Sequence, residues 1–313
     1  MKTNATQYNI ETESQPELTS RDDSGHGILF HDFWELTKPR LSLLAVISAI
    51  VGYLVAQPDK DLLLFINLLI GTSLAAGGAA VLNHWQERKT DAKMVRTRNR
   101  PIPKGSIKPE TAFIYGVVIS VVGDLLLWHG VNSLAASMAL ITQGAYLLVY
   151  TPLKQHSHWC TEIGAIPGAI PPLIGWAAAE GSISTLGWIL FTILLTWQIP
   201  HFMAIAWIFR KDYEKAGFPM LSVIDLSGNR VARQSLIFTF LLIISSLTPT
   251  FLGYASIVYA LIATSLGVSF LIMALCFMME LNRDKTAHKL FMISIIYLPL
   301  LLTALVIDRW FIV

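Results

Sequence analysis

Apolar residues in this chain come in long runs separated by shorter polar stretches. An α-helix needs roughly 20 residues to cross about 30 Å of hydrocarbon. Runs near or above that length occupy 41–57, 62–84, 112–128, 132–150, 163–179, 186–208, 235–253, 257–279 and 290–307. The pattern predicts an all-α integral membrane protein with nine transmembrane helices. Pro167, Pro171 and Pro172 are expected to interrupt the fifth of these, and Gly164, Gly168 and Gly175 to let neighbouring helices approach closely. Ahead of the first run, ILFHDFWEL sets Phe30, Phe33 and Trp34 at helical spacing. That fits a short helix lying in the membrane interface or an extension of the first span. The polar stretch before it, including TNATQYNIETESQ, lacks the apolar core of a signal peptide and is too acidic for a transit peptide. Residues 1–27 are expected to form a disordered polar tail, and residues 28–313 one transmembrane domain.

Composition agrees with the pattern: 54% of the 313 residues are hydrophobic and 14% charged, and the mean hydropathy is +0.55. A soluble domain lies well outside these values. With the N-terminus in the cytoplasm, 21 of the 23 Lys and Arg residues fall on the inner side, leaving only Lys60 and Arg309 outside. This sorting supports an odd number of spans and a C-terminus outside. Length and tail suit a bacterial inner membrane. The net charge of +2 carries no sign of nucleic acid, because topology already accounts for the basic residues. Cys160 falls in a cytoplasmic loop and Cys276 inside an apolar run, which suggests neither a disulfide nor a thiolate metal site.

The charge is concentrated. Two inner loops, 85–111 and 209–234, are long and charge-rich, and each follows an even-numbered span; their separation by four spans hints at a distant duplication. The working surface is therefore expected to face the cytoplasm. In NHWQERKTDAKMVRTRNRP, Asn83, Glu87 and Asp91 stand four residues apart, so a helix leaving the second span carries them on one face. Three oxygen-bearing side chains suit a hard cation, and Mg2+ fits best because it takes one or two carboxylates together with substrate phosphate. Arg96, Arg98 and Arg100 follow, with planar forks that match phosphate oxygens. The competing reading is a solvated loop held by local pairs, Glu87 with Arg88 or Lys89 and Asp91 with Lys93. Arg210, Lys211, Asp212, Glu214 and Lys215 form a second mixed cluster after the sixth span. Two such clusters facing each other could hold one diphosphate through bridging Mg2+.

Several motifs together resemble the UbiA superfamily of intramembrane prenyltransferases. They are N-x3-E-x3-D-x4-R-T-x2-R-P from Asn83 to Pro101, LTKPRL at 36–41, YTPLK at 150–154, GAIPGAIPPLIGW at 164–176, and WQIPHF with DYEKAGFPML within 197–221. Within the superfamily the match is to the protohaem IX farnesyltransferases, or haem O synthases. The resemblance covers residues from about 30 to the C-terminus. It implies nine helices around a central cavity, farnesyl diphosphate and haem B as substrates, Mg2+ as cofactor, and haem O and diphosphate as products, with water consumed. Handover to a haem A synthase or a terminal oxidase assembly is implied at the family level only. Three positions depart from the pattern: Glu87 stands where Asp is usual, Gln155 replaces a basic residue after YTPLK, and the second acidic motif is reduced to Asp212 with Glu214 nearby.

Carried onto this chain, the resemblance assigns Asn83, Glu87, Asp91 and Asp212 to Mg2+, and Arg40, Arg96, Arg100 and Lys154 to the diphosphate. His201 is the first candidate for an axial haem ligand; the alternative is a core histidine bonded to a carbonyl freed by Pro200. Gln198, one turn away, is expected near the haem. His84 has a weaker case as that axial ligand, because it neighbours the metal motif and could simply line the cavity. Asp124 is expected to have a structural partner or to face a water-filled pocket rather than to serve catalysis. A prenyltransferase acting on a quinone precursor, or a haem transporter without chemistry, remain the competing functions. Transporters place buried ionisable groups near the midplane, whereas here they crowd the cytoplasmic rim.

Overall fold

The computed structural model describes residues 25–57, 61–279 and 282–312. The polar tail up to residue 24 lies outside them. Among the described residues the protein is helical throughout: α1 Gly25–Leu36, α2 Pro39–Val55, α3 Leu62–Asp91, α4 Pro109–Gly130 and α5 Ser133–Gly144. A π-helical stretch, Ala145–Tyr150, continues α5 into the single turn α6, Thr151–Leu153. There follow α7 Cys160–Ala169, α8 Pro171–Glu180, α9 Thr185–Ile208, the short α10 Arg210–Lys215 and α11 Leu221–Ile224, α12 Asn229–Phe251, α13 Ile257–Met278 and α14 Arg283–Phe311.

Helix starts follow local chemistry. Asp61 caps α3 by accepting the Leu64 N–H at 2.9 Å, Asn132 caps α5 through the Ala135 N–H at 2.8 Å, and Pro39 opens α2. Among the described residues seven helical stretches are long and apolar enough to cross a membrane, and α1 with α2 forms an eighth if the pair, bent by 51° at their junction, is counted as one span. The fifth expected span is not one helix. It is broken at Ile170 into α7 and α8, ten residues each, because Pro171 has no N–H to continue the ladder and its ring crowds the preceding turn. Large apolar side chains such as Val118, Val122 and Leu125 on α4 or Leu261 and Ile272 on α13 point outward, where lipid rather than water receives them.

One core forms around α9, α12, α13 and α14, and another around α2, α3, α5 and α8. Small residues set the closest approach, since lipid gives helices no hydrophobic reason to associate and packing must hold them. A Cβ on Gly52 would lie 1.9 Å from the Pro172 carbonyl oxygen, and one on Gly175 only 1.7 Å from that of Ala49. α2 and α8 therefore touch backbone to backbone. Gly168 faces the Gln198 amide in the same way, with 2.0 Å to its oxygen.

α1 is a helix of its own, with Phe30 74% and Trp34 57% exposed. Its other face is anchored: Phe33 meets Tyr115 edge-on at 5.0 Å, and buried Asp32 accepts from Lys104 at 3.2 Å. Gly175→Val is expected to lower unfolding free energy in detergent by about 2 kcal/mol through overpacking. Gly144→Ala, where an added Cβ meets nothing within 4 Å, should leave the thermal midpoint unchanged or higher.

Candidate active site

The last two turns of α3 carry Asn83, Glu87 and Asp91 on one face, and all three are buried, at 2%, 5% and 1% exposure. Each meets a cation from a different segment. Lys38 Nζ donates to Asn83 Oδ1 at 2.6 Å, Lys154 Nζ to Glu87 Oε1 at 3.1 Å, and Arg100 Nη1 to Asp91 Oδ2 at 2.7 Å. Asn83 also donates from Nδ2 to Thr151 Oγ1 at 3.1 Å, so its amide is fixed with the oxygen toward Lys38. The solvated-loop reading is overturned here. The carboxylates are buried, Glu87 pairs with the distant Lys154 and Asp91 with Arg100 rather than Lys93, while Arg88 turns back to the Trp85 carbonyl and stacks 4.9 Å over its ring.

Local structure explains the convergence. Lys38 occupies the left-handed region, φ 47°, at the break before Pro39. A non-glycine residue there carries about 1–3 kcal/mol of strain, and here it belongs to the segment that brings the ammonium to α3. The π-helical stretch shifts the register ahead of α6, and Thr151 and Lys154 come round to the same face. After α3, Thr97 Oγ1 donates to the Asp91 carbonyl at 2.8 Å and the Arg98 N–H to that of Met94 at 2.9 Å. This folds the loop back so that Arg100 covers Asp91.

Burial pulls the Lys154 ammonium toward neutrality. The charge of Glu87 and the hydrogen bond to it more than offset that pull and hold Lys154 above the usual lysine value. Asp91 Oδ1 is buried without a hydrogen-bond partner. An oxygen-only set with one carboxylate oxygen unclaimed fits a hard divalent cation.

The second charged segment meets the first. Met94 shares a buried cluster with Cys160, Tyr213, Ala216, Phe218 and Met220. The Arg96 guanidinium lies 5.4 Å over the Phe209 ring and Lys154 Nζ 4.8 Å over that of Phe218. α10 therefore sits at the same end of the bundle as the α3 stripe, with Asp212 half-buried in its first turn and Glu214 exposed. Arg96 and Arg40 are exposed. From the LTKPRL segment the structure delivers Lys38, not Arg40, into the buried cluster. The sequence signal for this was the lysine directly before a helix-opening proline. Thr151, also overlooked, sits in the same YTPLK motif as Lys154.

His201 faces α14, with Nδ1 2.7 Å from Ser294 Oγ and its ring stacked on Trp197 at 4.7 Å. Ser294 gives its single hydroxyl proton to the Phe291 carbonyl at 2.6 Å, so His201 Nδ1 is the donor between them and Nε2 carries the lone pair. The partner is a hydroxyl, not a carbonyl freed by Pro200. Gln198 turns instead toward α7, donating to the Leu194 carbonyl at 3.1 Å with its oxygen against Gly168. The two side chains pack against different helices. His84 is 2% exposed with neither ring nitrogen hydrogen-bonded. Asp124 has a structural partner, accepting from Gln143 Nε2 at 2.7 and 2.9 Å between α4 and α5.

Residues 45–296 match the model of the UbiA prenyltransferase family. The chain is 52% identical over 284 residues to the protoheme IX farnesyltransferase of Opitutus terrae, covering 91% of this chain and 96% of that one. Among solved structures it resembles digeranylgeranylglyceryl phosphate synthase, with a TM-score of 0.77 at 20% identity over 90% of this chain and 98% of that chain. A UbiA homolog from Archaeoglobus fulgidus bound to GPP and Mg2+ matches with a TM-score of 0.61 at 13% identity, over 88% of this chain and 99% of that chain.

Removing one member of the Glu87–Lys154 pair strands its partner's charge in a buried setting. Glu87→Gln or Lys154→Met alone should each cost about 3 kcal/mol of unfolding free energy. The double variant E87Q/K154M should recover most of that, read as a double-mutant cycle by thermal unfolding in detergent; additive losses would show that the two side chains do not depend on each other.

Proposed function

The chain belongs to the UbiA prenyltransferase family, and from that premise we infer that it is a haem O synthase, moving the farnesyl group of farnesyl diphosphate to a vinyl group of haem B. The observation that carries the reading at the level of residues is the buried α3 stripe with its three cations. Asn83, Glu87 and Asp91, with Asp212 from the opposite rim, would hold Mg2+, which supplies neutralising charge to the departing diphosphate. Lys38, Lys154, Arg96 and Arg100 then grip the phosphate oxygens, with Arg40 at the entrance.

The cations now neutralise the carboxylates. A ligand that brings both a divalent ion and a diphosphate lets each side of every pair exchange its partner, so no charge is stranded in the buried site. In the reaction the allylic C–O bond breaks with its electrons going to the diphosphate, and the terminal vinyl carbon of haem B bonds to the farnesyl carbon. Water adds to the cation left beside the porphyrin ring, giving a hydroxyethylfarnesyl group, and its spare proton leaves. Preorganised cations aimed at the leaving group are the main means of lowering that barrier. The farnesyl chain lies in an apolar cleft between helices, out of reach of stray water.

His201 is the axial haem ligand in this reading. Its tautomer, fixed by Ser294, leaves Nε2 free for iron. An odd number of membrane crossings, nine in this reading, with the N-terminus inside, the C-terminus outside and the site on the cytoplasmic side, is supported by the sorting of basic residues; a central cavity and a bacterial inner membrane follow from the family resemblance and from the chain's length and tail.

Purified protein given labelled farnesyl diphosphate and haem B is expected to release diphosphate and form a heavier haem. Asp91→Asn should reduce turnover at least a hundredfold while the protein still inserts, and undiminished haem O formation would overturn the assignment. His201→Ala should shift the Soret band of the haem-loaded protein. An unshifted spectrum with a lowered thermal midpoint would return His201 to packing.

A further inference from the structure

His84 is the buried group that the site described so far does not use. Its ring is 2% exposed and both nitrogens lack a partner. Native proteins seldom leave a buried polar group unsatisfied, because each such group costs about 1–3 kcal/mol of desolvation. Among the described residues, the other buried side-chain atoms without a hydrogen bond each belong to a different residue, and only His84 contributes two, both of its ring nitrogens. Buried Gln198 bonds to a carbonyl and half-buried His201 to Ser294.

Position and surroundings say what the ring is for. His84 precedes Glu87 by three residues and Asp91 by seven, the spacing of side chains that share a helix face. Directly after Asn83 on α3, it stands further back along the helix, toward the apolar part of the span, than either carboxylate. Lys38 and Arg100 are the charged groups that act on it, and both already belong to the site. A third donor beside two cations completes a receptor for an anion. Asp91 Oδ1, the other buried orphan of this stripe, offers the oxygen that a cation on that anion would take.

We propose that His84 is a further diphosphate-binding residue, giving a ring N–H to a phosphate oxygen at the membrane-side floor of the site. This rests on the reading of the α3 stripe as a diphosphate site. A neutral imidazole carries one donor and one acceptor, which suits a phosphate oxygen and a second polar group on the same hydrated ligand. The substrate then supplies a bond that the protein's own groups leave unmade. Sites built for ligands commonly give up stability in this way.

The test compares the parent with His84→Leu and His84→Gln, all full-length in detergent. Two quantities are read: the dissociation constant of a non-reactive farnesyl thiodiphosphate with Mg2+, by calorimetry, and the thermal midpoint without ligand. His84→Leu should bind the analogue at least about tenfold more weakly, as expected for a lost hydrogen bond to a charged group. Its midpoint should equal or exceed the parent's, since an unsatisfied polar group has been replaced by an apolar one. His84→Gln, which keeps an N–H, should recover most of the affinity.

Unchanged affinity in His84→Leu overturns the proposal, as does a lowered midpoint, which marks a structural histidine, or a glutamine variant no better than the leucine one. If the parent itself does not bind the analogue, the diphosphate reading of the whole site falls with it. Binding by the parent with no loss in His84→Leu overturns the role of His84 alone.

Discussion

Three polar side chains buried on one helix face impose the main constraint on this molecule. An isolated carboxylate in such a place is too costly to keep ionised, so the stripe on α3 can exist only if compensating charge arrives with it. Lys38, Arg100 and Lys154 supply that charge from three separate parts of the chain. Much of the irregular backbone serves the same end. The left-handed residue before Pro39, the π-helical stretch after α5 and the folded loop after α3 each turn one cation inward. Buried ion pairs add little net stability over apolar packing; their retention here makes sense as stored binding capacity.

The scaffold around the site relies on close backbone contact. α2 and α8 meet through Gly52 and Gly175, and α8 exists as a separate helix because Pro171 and Pro172 end α7. The broken segment lies beside α9, whose Gln198 fits against Gly168 and whose far side carries His201 toward α14. α9 therefore links two environments: polar toward the rim at α10, and aromatic around Trp197, His201 and Phe291.

Much of this was legible in the sequence, for reasons that differ by feature. Apolar runs gave the helices because hydrocarbon demands a minimum length, and the four-residue spacing from Asn83 to Asp91 gave the stripe because helical periodicity is rigid. Prolines announced the break at Ile170. Pairing was not legible. Composition favours near neighbours such as Lys89 and Lys93, whereas the structure pairs Glu87 with Lys154 and Asp91 with Arg100; tertiary contacts decide this, and spacing cannot encode them. Lys38 was hidden behind Arg40 by the expectation that guanidinium groups bind phosphate, when what matters is which side chain the bend between α1 and α2 turns inward. His84 looked like a mere neighbour of the motif, and its lack of any partner is visible only in three dimensions.

The dispersed origin of those counter-charges bears on biogenesis. While the polypeptide emerges into the bilayer, α3 is complete before the residue that neutralises Glu87 has been synthesised. Until α6 docks, Glu87 is a carboxylate without its partner, a state that favours keeping that end of α3 in contact with water. Glu87 therefore gains its counter-charge only once α6 has followed α5 into the bundle, with α7 to α14 still to be added around the pair.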